Sequence, residues 1–188
     1  MRKLPRLKVR KSSGTGIWAE TGGAAAVEFV LWVAILVVPV FSAIDIGIYA
    51  SRRMQLEIAA QAAAQAAWHL CDKTGELPAV KNCTNLLSTM TTAAQATSLG
   101  STVTVVSGYP IEGYYCIDNT GALQPFGTPA TIGGTPTKSA ATCTGTTTPP
   151  ADYIQVQVSY PYSPIFSGLS LAALLTTPIT RTAWMRLR

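Results

Sequence analysis

The longest apolar stretch of the chain runs from Ala24 to Ile44, and its only side chains that are not apolar are Glu28 and Ser42. A helix over residues 24–50 would be about 40 Å long at about 1.5 Å per residue. Because a hydrocarbon core is about 30 Å thick, such a helix is long enough to cross a membrane with some tilt. The sequence therefore predicts a transmembrane helix over these residues.

The charge of the chain is concentrated before this helix. Residues 1–23 hold six Lys and Arg residues and one acidic residue, whereas the remainder holds eight of each sign and is neutral. Cytoplasmic flanks of membrane helices are enriched in Lys and Arg, so we expect the N-terminus in the cytoplasm and the body outside. The neutral body lacks the clustered cations that bind phosphates, which argues against nucleic acid as a partner.

Two simpler interpretations of this N-terminal region stay open. A cleaved secretory signal also joins a basic segment to an apolar one, and Phe41-Ser42-Ala43 ends in a small residue, as a signal-peptidase site does. The length of the apolar run and the carboxylate of Glu28 argue against that signal. The second alternative is a single-pass anchor that carries an extracytoplasmic binding module and takes no part in a larger assembly.

Helix-favouring sequence continues from Arg52 to Trp68, rich in Ala, Leu, Met and Gln and free of Gly and Pro. The larger side chains recur on one face of this helix, and smaller ones form a surface beside it. The first set is Met54, Ile58, Gln61, Gln65 and Trp68, and the second is Ala59, Ala62, Ala63 and Ala66. Since Ala lets backbones approach closely, we expect this extension, residues 51–70, to pack under the protein's own sheet and the membrane half to pack against copies of itself.

The remaining residues, 71–188, read as a small domain of strands and one helix. Strands are predicted at 102–107, at 152–160 with alternating apolar residues, and at 179–187, and a helix at 86–98. Residues 119–150 are rich in Thr, Gly and Pro and are predicted to be a surface loop. The expected fold is therefore α+β, with a long N-terminal helix and a small antiparallel sheet against its outer half.

Four cysteines, Cys71, Cys83, Cys116 and Cys143, follow the membrane segment. An even number on the oxidising side of a membrane predicts two disulfides, for which three pairings exist. We favour Cys71–Cys83 and Cys116–Cys143, because they would tie down the helix end and close the Thr/Gly-rich loop. No pair has the Cys-x-x-Cys spacing of a zinc site, so no metal is expected.

Catalytic residues are not evident. His69 and Cys71 are two positions apart, so their side chains point to different sides and form a poor nucleophile–base pair. A membrane-anchored hydrolase is thus the weakest alternative, since the chain offers no acid, base or nucleophile constellation for it. We expect neither enzymatic activity nor a cofactor.

The start of the apolar run, Gly22-Gly23-Ala24-Ala25-Ala26-Val27-Glu28-Phe29, resembles a class III (type IV) prepilin signal. It has a basic leader, Gly at −1, Glu at +5 and an aromatic residue at +6. Together with Asp45-Ile46-Gly47-Ile48-Tyr49, the pair Arg52 and Arg53, and the Ala/Gln-rich helix, it is similar to the TadE family of the tight-adherence (Tad) pilus system. Tyr160-Pro161-Tyr162 and the last strand are also similar to that family.

The resemblance implies a minor pilin or pseudopilin-like component of a bacterial Tad pilus that supports pilus biogenesis and adherence. A prepilin peptidase would recognise Glu28 and Phe29 and cut between Gly23 and Ala24. Glu28 would then meet the N-terminal amine of a neighbouring subunit. The expected partners are the inner membrane, this peptidase, pilin subunits and other Tad proteins.

A second subunit contact is also expected near the outer end of the membrane helix. Asp45 would pair there with Arg52 or Arg53 of a neighbouring subunit, or else remain a carboxylate within reach of water.

Overall fold

The computed structural model describes residues 21–71, 73–140, 143 and 149–187. Three α-helices lie within them: α1 (Thr21–Leu70), α2 (Ala79–Asn82) and α3 (Leu86–Gln95). Single 3₁₀ turns occur at Thr74–Glu76, Gly100–Thr102 and Leu171–Leu174. Most of the basic leader and part of the Thr-rich loop, to which the sequence analysis assigned roles, lie outside the described residues.

Eight strands follow α1 in the described part of the chain, and all their pairings are antiparallel. They are β1 (Thr104–Val105), β2 (Ile111–Ile117), β3 (Leu123–Pro125), β4 (Gly127–Thr128), β5 (Ala130–Thr131), β6 (Thr137–Lys138), β7 (Ala151–Tyr160) and β8 (Ile179–Arg186). The central strand β7 pairs with β8 along one edge and with β2 and β1 along the other. Strands β3 and β5 extend the sheet beyond β2, and β4 pairs with β6 in a separate ribbon. The predicted α+β fold is confirmed.

The core lies between the second half of α1 and one face of β7. Alternation along β7 puts Ile154, Val156 and Val158 on the buried face, each with no exposed surface. Small side chains line the facing side of α1 and let it lie close to the sheet. They are Ala59, Ala60, Ala63, Ala64 and Ala67, with Leu56 at the membrane-proximal end.

The buried small-residue surface of α1 differs from the one predicted by helical spacing, because it also includes Ala60, Ala64 and Ala67. Ala59 and Ala63 are buried as expected, whereas Ala62 and Ala66 are only half-buried at its edge. The larger side chains of the opposite face are exposed, including Met54 and Trp68, so this face is turned away from the body.

Strand β2 and the short strands of residues 119–150 were not anticipated. The segment Ile111–Ile117 buries residues on both of its faces, so it lacks the simple alternation that marks a half-buried strand. The predicted loop contains β3 to β6, and Phe126 between β3 and β4 is buried. Conversely, the strand expected at 102–107 contracts to β1, because a 3₁₀ turn and a turn at Gly108 occupy its ends.

Candidate functional site

The first half of α1 is a helix that its own chain leaves uncovered. Within the described residues, α1 is the one helix long and apolar enough to cross a membrane. Most of its large apolar side chains from Val27 to Ile46 are about two-fifths to two-thirds exposed, and only Val37 and Phe41 among them are partly buried. Contiguous apolar surface of this extent requires lipid or other protein as its cover.

Gly23 and Ala24 lie in the first turns of α1. Gly23 is exposed, and a Cβ atom placed on it would meet no other atom within 4 Å. Within the described residues, packing therefore does not require glycine at this position.

Glu28 and Phe29 follow on the exposed surface of α1, Phe29 with 68% of its surface accessible. No other residue in the described part of the chain forms an ion pair or hydrogen bond with Glu28. A carboxylate in an apolar membrane helix is costly unless it finds a partner, so Glu28 is open to a partner from another molecule.

Asp45 requires a correction, because it is neither accessible to a neighbouring subunit nor within reach of water. Its side chain has no exposed surface, and its two carboxylate oxygens accept the backbone N–H groups of Ile165 at 3.0 Å and Phe166 at 3.2 Å. These bonds occupy the carboxylate inside its own chain. The expected pairing with Arg52 or Arg53 of another subunit is therefore not supported.

The two arginines lie apart from Asp45. The Nη1 atom of Arg52 donates a hydrogen bond of 3.1 Å to Oε1 of Gln55, one turn further along α1. Arg53 is exposed and borders a cavity of about 350 Å³, which Arg181 of β8 and Tyr49 also line. Arg181 is in turn 3.6 Å from Glu57, measured from Nε to Oε2. The arginines thus mark the level at which α1 leaves its apolar half.

Residues 161–178, between β7 and β8, return along α1 and are called the return loop here. The Phe166 ring stacks on Phe41 with centroids 4.2 Å apart, and Ser42 Oγ accepts the backbone N–H of Leu171 at 3.1 Å. The loop was missed because its contacts depend on a distant part of the sequence. The available signal was the pair Ser42 and Asp45, which share one face of an otherwise apolar helix.

The structure pairs the cysteines as nearest neighbours, the arrangement favoured above. Cys71 bonds to Cys83 with Cα atoms 6.0 Å apart, which ties the end of α1 to α2. Cys116 bonds to Cys143 with Cα atoms 5.8 Å apart, which ties β2 to the chain beyond β6. The sequence analysis argued against a catalytic role for His69. This residue is exposed, and its ring centroid is 4.8 Å from that of Trp68.

A buried pair of carboxyl groups was also missed. The oxygens of Glu112 accept the backbone N–H groups of Ala79 at 2.9 Å and Val80 at 2.7 Å. Asp152 is buried nearby, and its Oδ1 atom has no hydrogen-bond partner within the described part of the chain. Burial raises the pKa of Asp152 to about 7, and the negative charge of Glu112 and a hydrogen bond with Glu112 contribute to this increase.

Residues 23–65 match the family model described as TadE-like protein. The match begins at Gly23, includes Glu28, Phe29 and Asp45, and ends within the half of α1 that packs on the sheet. The family resemblance carried by the N-terminal sequence is thus confirmed for this segment. No curated protein and no solved structure matches the chain.

Proposed function

We propose that this chain, TadE-like over residues 23–65, is a minor pilin or pseudopilin-like component of a bacterial Tad pilus. It would act in assembly and structure and so support pilus biogenesis and surface adherence. The observation that carries the proposal is the uncovered apolar half of α1, which bears one unpaired carboxylate, Glu28. Lipid covers such a helix before assembly, and the helices of neighbouring subunits cover it afterwards.

Processing would create the partner that Glu28 lacks. Cleavage between Gly23 and Ala24 leaves a new ammonium group at Ala24, four residues before Glu28. In one subunit the ammonium group and the Glu28 carboxylate lie along the same helix. A neighbouring subunit that is offset along the fibre axis places its own ammonium group beside Glu28. Charge pairing in this apolar setting fixes the register between subunits, because an unpaired carboxylate is disfavoured there.

Gly23 supports processing by a prepilin peptidase. Among the described residues no atom restricts a side chain at position 23, so the chain's own packing there does not account for the glycine. A residue without a side chain lets the peptide extend into a protease active site at low steric cost. The cations of the leader hold this site at the anionic inner leaflet, each contributing about 1 kcal/mol near the surface.

In this proposal the protein resides in the inner membrane with its N-terminus in the cytoplasm and its body outside, and it enters or initiates the fibre from there. It is not an enzyme and needs no cofactor. Its partners are the peptidase, pilin subunits and other Tad proteins.

Variants of Glu28 test the proposal in cells that assemble the pilus. We expect Glu28→Ala to leave cleavage and membrane insertion intact, to abolish co-isolation with other pilus proteins and to reduce adherence. Glu28→Gln keeps the shape and removes the charge, so it should behave like Glu28→Ala if the ion pair is essential. Glu76→Gln is the matched control, because Glu76 lies in the body and its ion pair with Lys73 is long, at 3.9 Å, and exposed.

The alternative, a membrane-anchored binding module outside any pilus, makes the opposite prediction. There, both Glu28 variants should insert at least as well as the native chain, since each removes a carboxylate from an apolar helix. Normal co-isolation of both variants, together with an uncut N-terminus, would exclude the pilin role in favour of the anchor.

A further inference from the structure

The return loop lies beside the end of the apolar half of α1. Phe41, Ser42, Asp45 and Tyr49 hold it there and are spaced so that they share one face of the helix. A membrane span that starts near Ala24 and crosses about 30 Å ends at about residue 44. The loop is therefore attached to α1 at the depth where the helix emerges from the hydrocarbon core.

The return loop exposes four of its large apolar side chains. Ile165, Leu169, Leu171 and Leu174 are 65%, 52%, 60% and 83% exposed. No residue between Asp152 and Arg181 carries a charged side chain. Four large exposed apolar side chains on one loop, held beside the uncovered half of α1, make water an unfavourable neighbour for this surface.

Most of the backbone N–H donors around these four side chains are bonded within the protein, whereas those of Ser167 and Gly168 have no partner among the described residues. Asp45 accepts those of Ile165 and Phe166, and Ser42 accepts that of Leu171. Further donors bond inside the loop: Leu169 and Ser170 to the Phe166 carbonyl, Ala172 to Ser170 Oγ, Ala173 to the Ser170 carbonyl and Leu175 to the Ala172 carbonyl. Because irregular backbone is not exposed to lipid within the hydrocarbon region, the loop backbone would stay at the interface while its apolar side chains reach toward the core.

Polar and charged side chains lie where the loop ends, at the level expected for lipid headgroups. The cavity of about 350 Å³ beside Tyr49 is lined by Arg53 and Arg181 together with the hydroxyl-bearing Thr176 and Thr180. Arginine is the side chain best suited to phosphate oxygens. The order along α1 is therefore an apolar helix, then the apolar loop, then the cations, which is the order of chemical groups across one membrane leaflet.

We propose that the return loop is a second membrane-contacting element, which inserts its four apolar side chains into the leaflet nearest the body. Ser42 and Asp45 of the membrane helix hold the loop in place, because their side-chain oxygens accept its backbone N–H groups. Attachment at two points fixes the tilt of the body relative to the bilayer, whereas attachment through α1 alone would leave this tilt variable. The inference requires α1 to span a membrane but does not depend on pilus assembly.

Photolabelling from lipid tests the proposal on the full chain. The protein is reconstituted at low density, without other pilus proteins, into phosphatidylcholine vesicles that carry a diazirine on the acyl chain, and labelled residues are located by mass spectrometry. Ile132 is the internal control, because it is 46% exposed and follows β5, which the sheet register places at the level of Gln155, about 20 Å along β7 from Tyr162. We expect the return loop to be labelled at least about tenfold more than the segment around Ile132.

Variants then separate insertion from chance contact. Leu171→Asp combined with Leu174→Asp places carboxylates on exposed positions that contribute little to packing, and Ile132→Asp is the control. We expect labelling of the loop to fall about tenfold in the double variant, with labelling of residues 25–40 and both disulfides unchanged. The proposal is overturned if the native loop is labelled no more than Ile132 or if the double variant is labelled like the native chain.

Discussion

The hydroxyl of Tyr162 donates a hydrogen bond of 2.9 Å to the backbone carbonyl of Asp45, across 117 positions of the sequence. The Tyr162 ring also packs edge-on against Tyr49, one turn further along α1, with centroids 5.1 Å apart. Together with the bonds from the Asp45 carboxylate, these contacts make the part of α1 nearest the membrane a structural part of the body. A helix that simply anchored the body would not need such contacts.

Removal of the Asp45 carboxylate is therefore expected to release the return loop. In Asp45→Ala the N–H groups of Ile165 and Phe166, which are partly buried, lose their acceptors, and each loss costs at most about 1–3 kcal/mol. We expect the amides of both residues to exchange with solvent at least about tenfold faster in the full chain in micelles. Ser42→Ala is the matched variant, since it removes one acceptor and should accelerate chiefly Leu171. Unchanged exchange at Ile165 and Phe166 in Asp45→Ala would contradict this account of the loop.

The stability of the body is expected to fall as the pH rises from about 4 to about 7, because of Asp152. Burial and the neighbouring Glu112 carboxylate hold the folded-state pKa of Asp152 at about 7, above its ordinary value of 3.8. The stabilising contribution of the protonated form is complete below the unfolded-state pKa and is lost as the pH rises through the folded-state pKa. The slope is at most about 1.4 kcal/mol per pH unit for one proton.

Denaturant unfolding of the full chain in micelles, followed between pH 4 and pH 8, measures this slope. Asp152→Asn cannot ionise and should flatten the curve. Asp118→Asn is the control, because hydrogen bonds from the Thr120 hydroxyl, the Ala122 backbone and the Gln124 side chain lower the pKa of Asp118 to about 2, outside the window. An equal slope in the native chain and in Asp152→Asn would show that Asp152 is not the group responsible.

The parts of the fold that could be predicted are those specified by neighbouring residues. The apolar run from Ala24 and the helix formers up to Trp68 are sufficient to predict α1, and alternation is sufficient for β7 and β8. The exception in β8, Arg181, is explained only by a distant partner, because it lies 3.6 Å from Glu57 on α1.

The parts that could not be predicted depend on partners far away in the sequence. Glu112 reads as a surface residue that should interrupt a strand, yet it is fully buried because its carboxylate caps the N-terminus of α2 more than 30 residues away. Asp45 is similar, since its acceptors are used by backbone donors 120 and 121 positions further on. A polar residue in an apolar pattern signals that a partner exists but does not identify it.

Exported protein should contain two intramolecular disulfides, Cys71–Cys83 and Cys116–Cys143, and no free thiol. The Cα separations of 6.0 Å and 5.8 Å suit both bonds, and an oxidising compartment maintains them. Non-reducing peptide mapping of protein isolated from cells measures the pairing directly. Recovery of four reactive thiols would contradict both the disulfides and the location of the body outside the cytoplasm.

Processing is expected to leave Ala24 as the mature N-terminus, in a chain of 165 residues. A cut after Gly22 is the competing possibility, and it would place Glu28 at position +6. Intact-mass measurement of the membrane-extracted protein distinguishes the two products and also detects the uncut chain.

Gly23→Val should block this cleavage, because a β-branched residue stiffens the backbone that must extend into the peptidase. Gly47→Val is the matched control: Gly47 also lies in α1, is also exposed, and a Cβ atom there also meets nothing within 4 Å. Both variants introduce the same side chain into the same helix, so a general effect on folding or insertion would appear in both. We expect Gly47→Val to mature normally and Gly23→Val to accumulate uncut in the membrane. Normal maturation of Gly23→Val would show that residue 23 does not occupy the cleavage site.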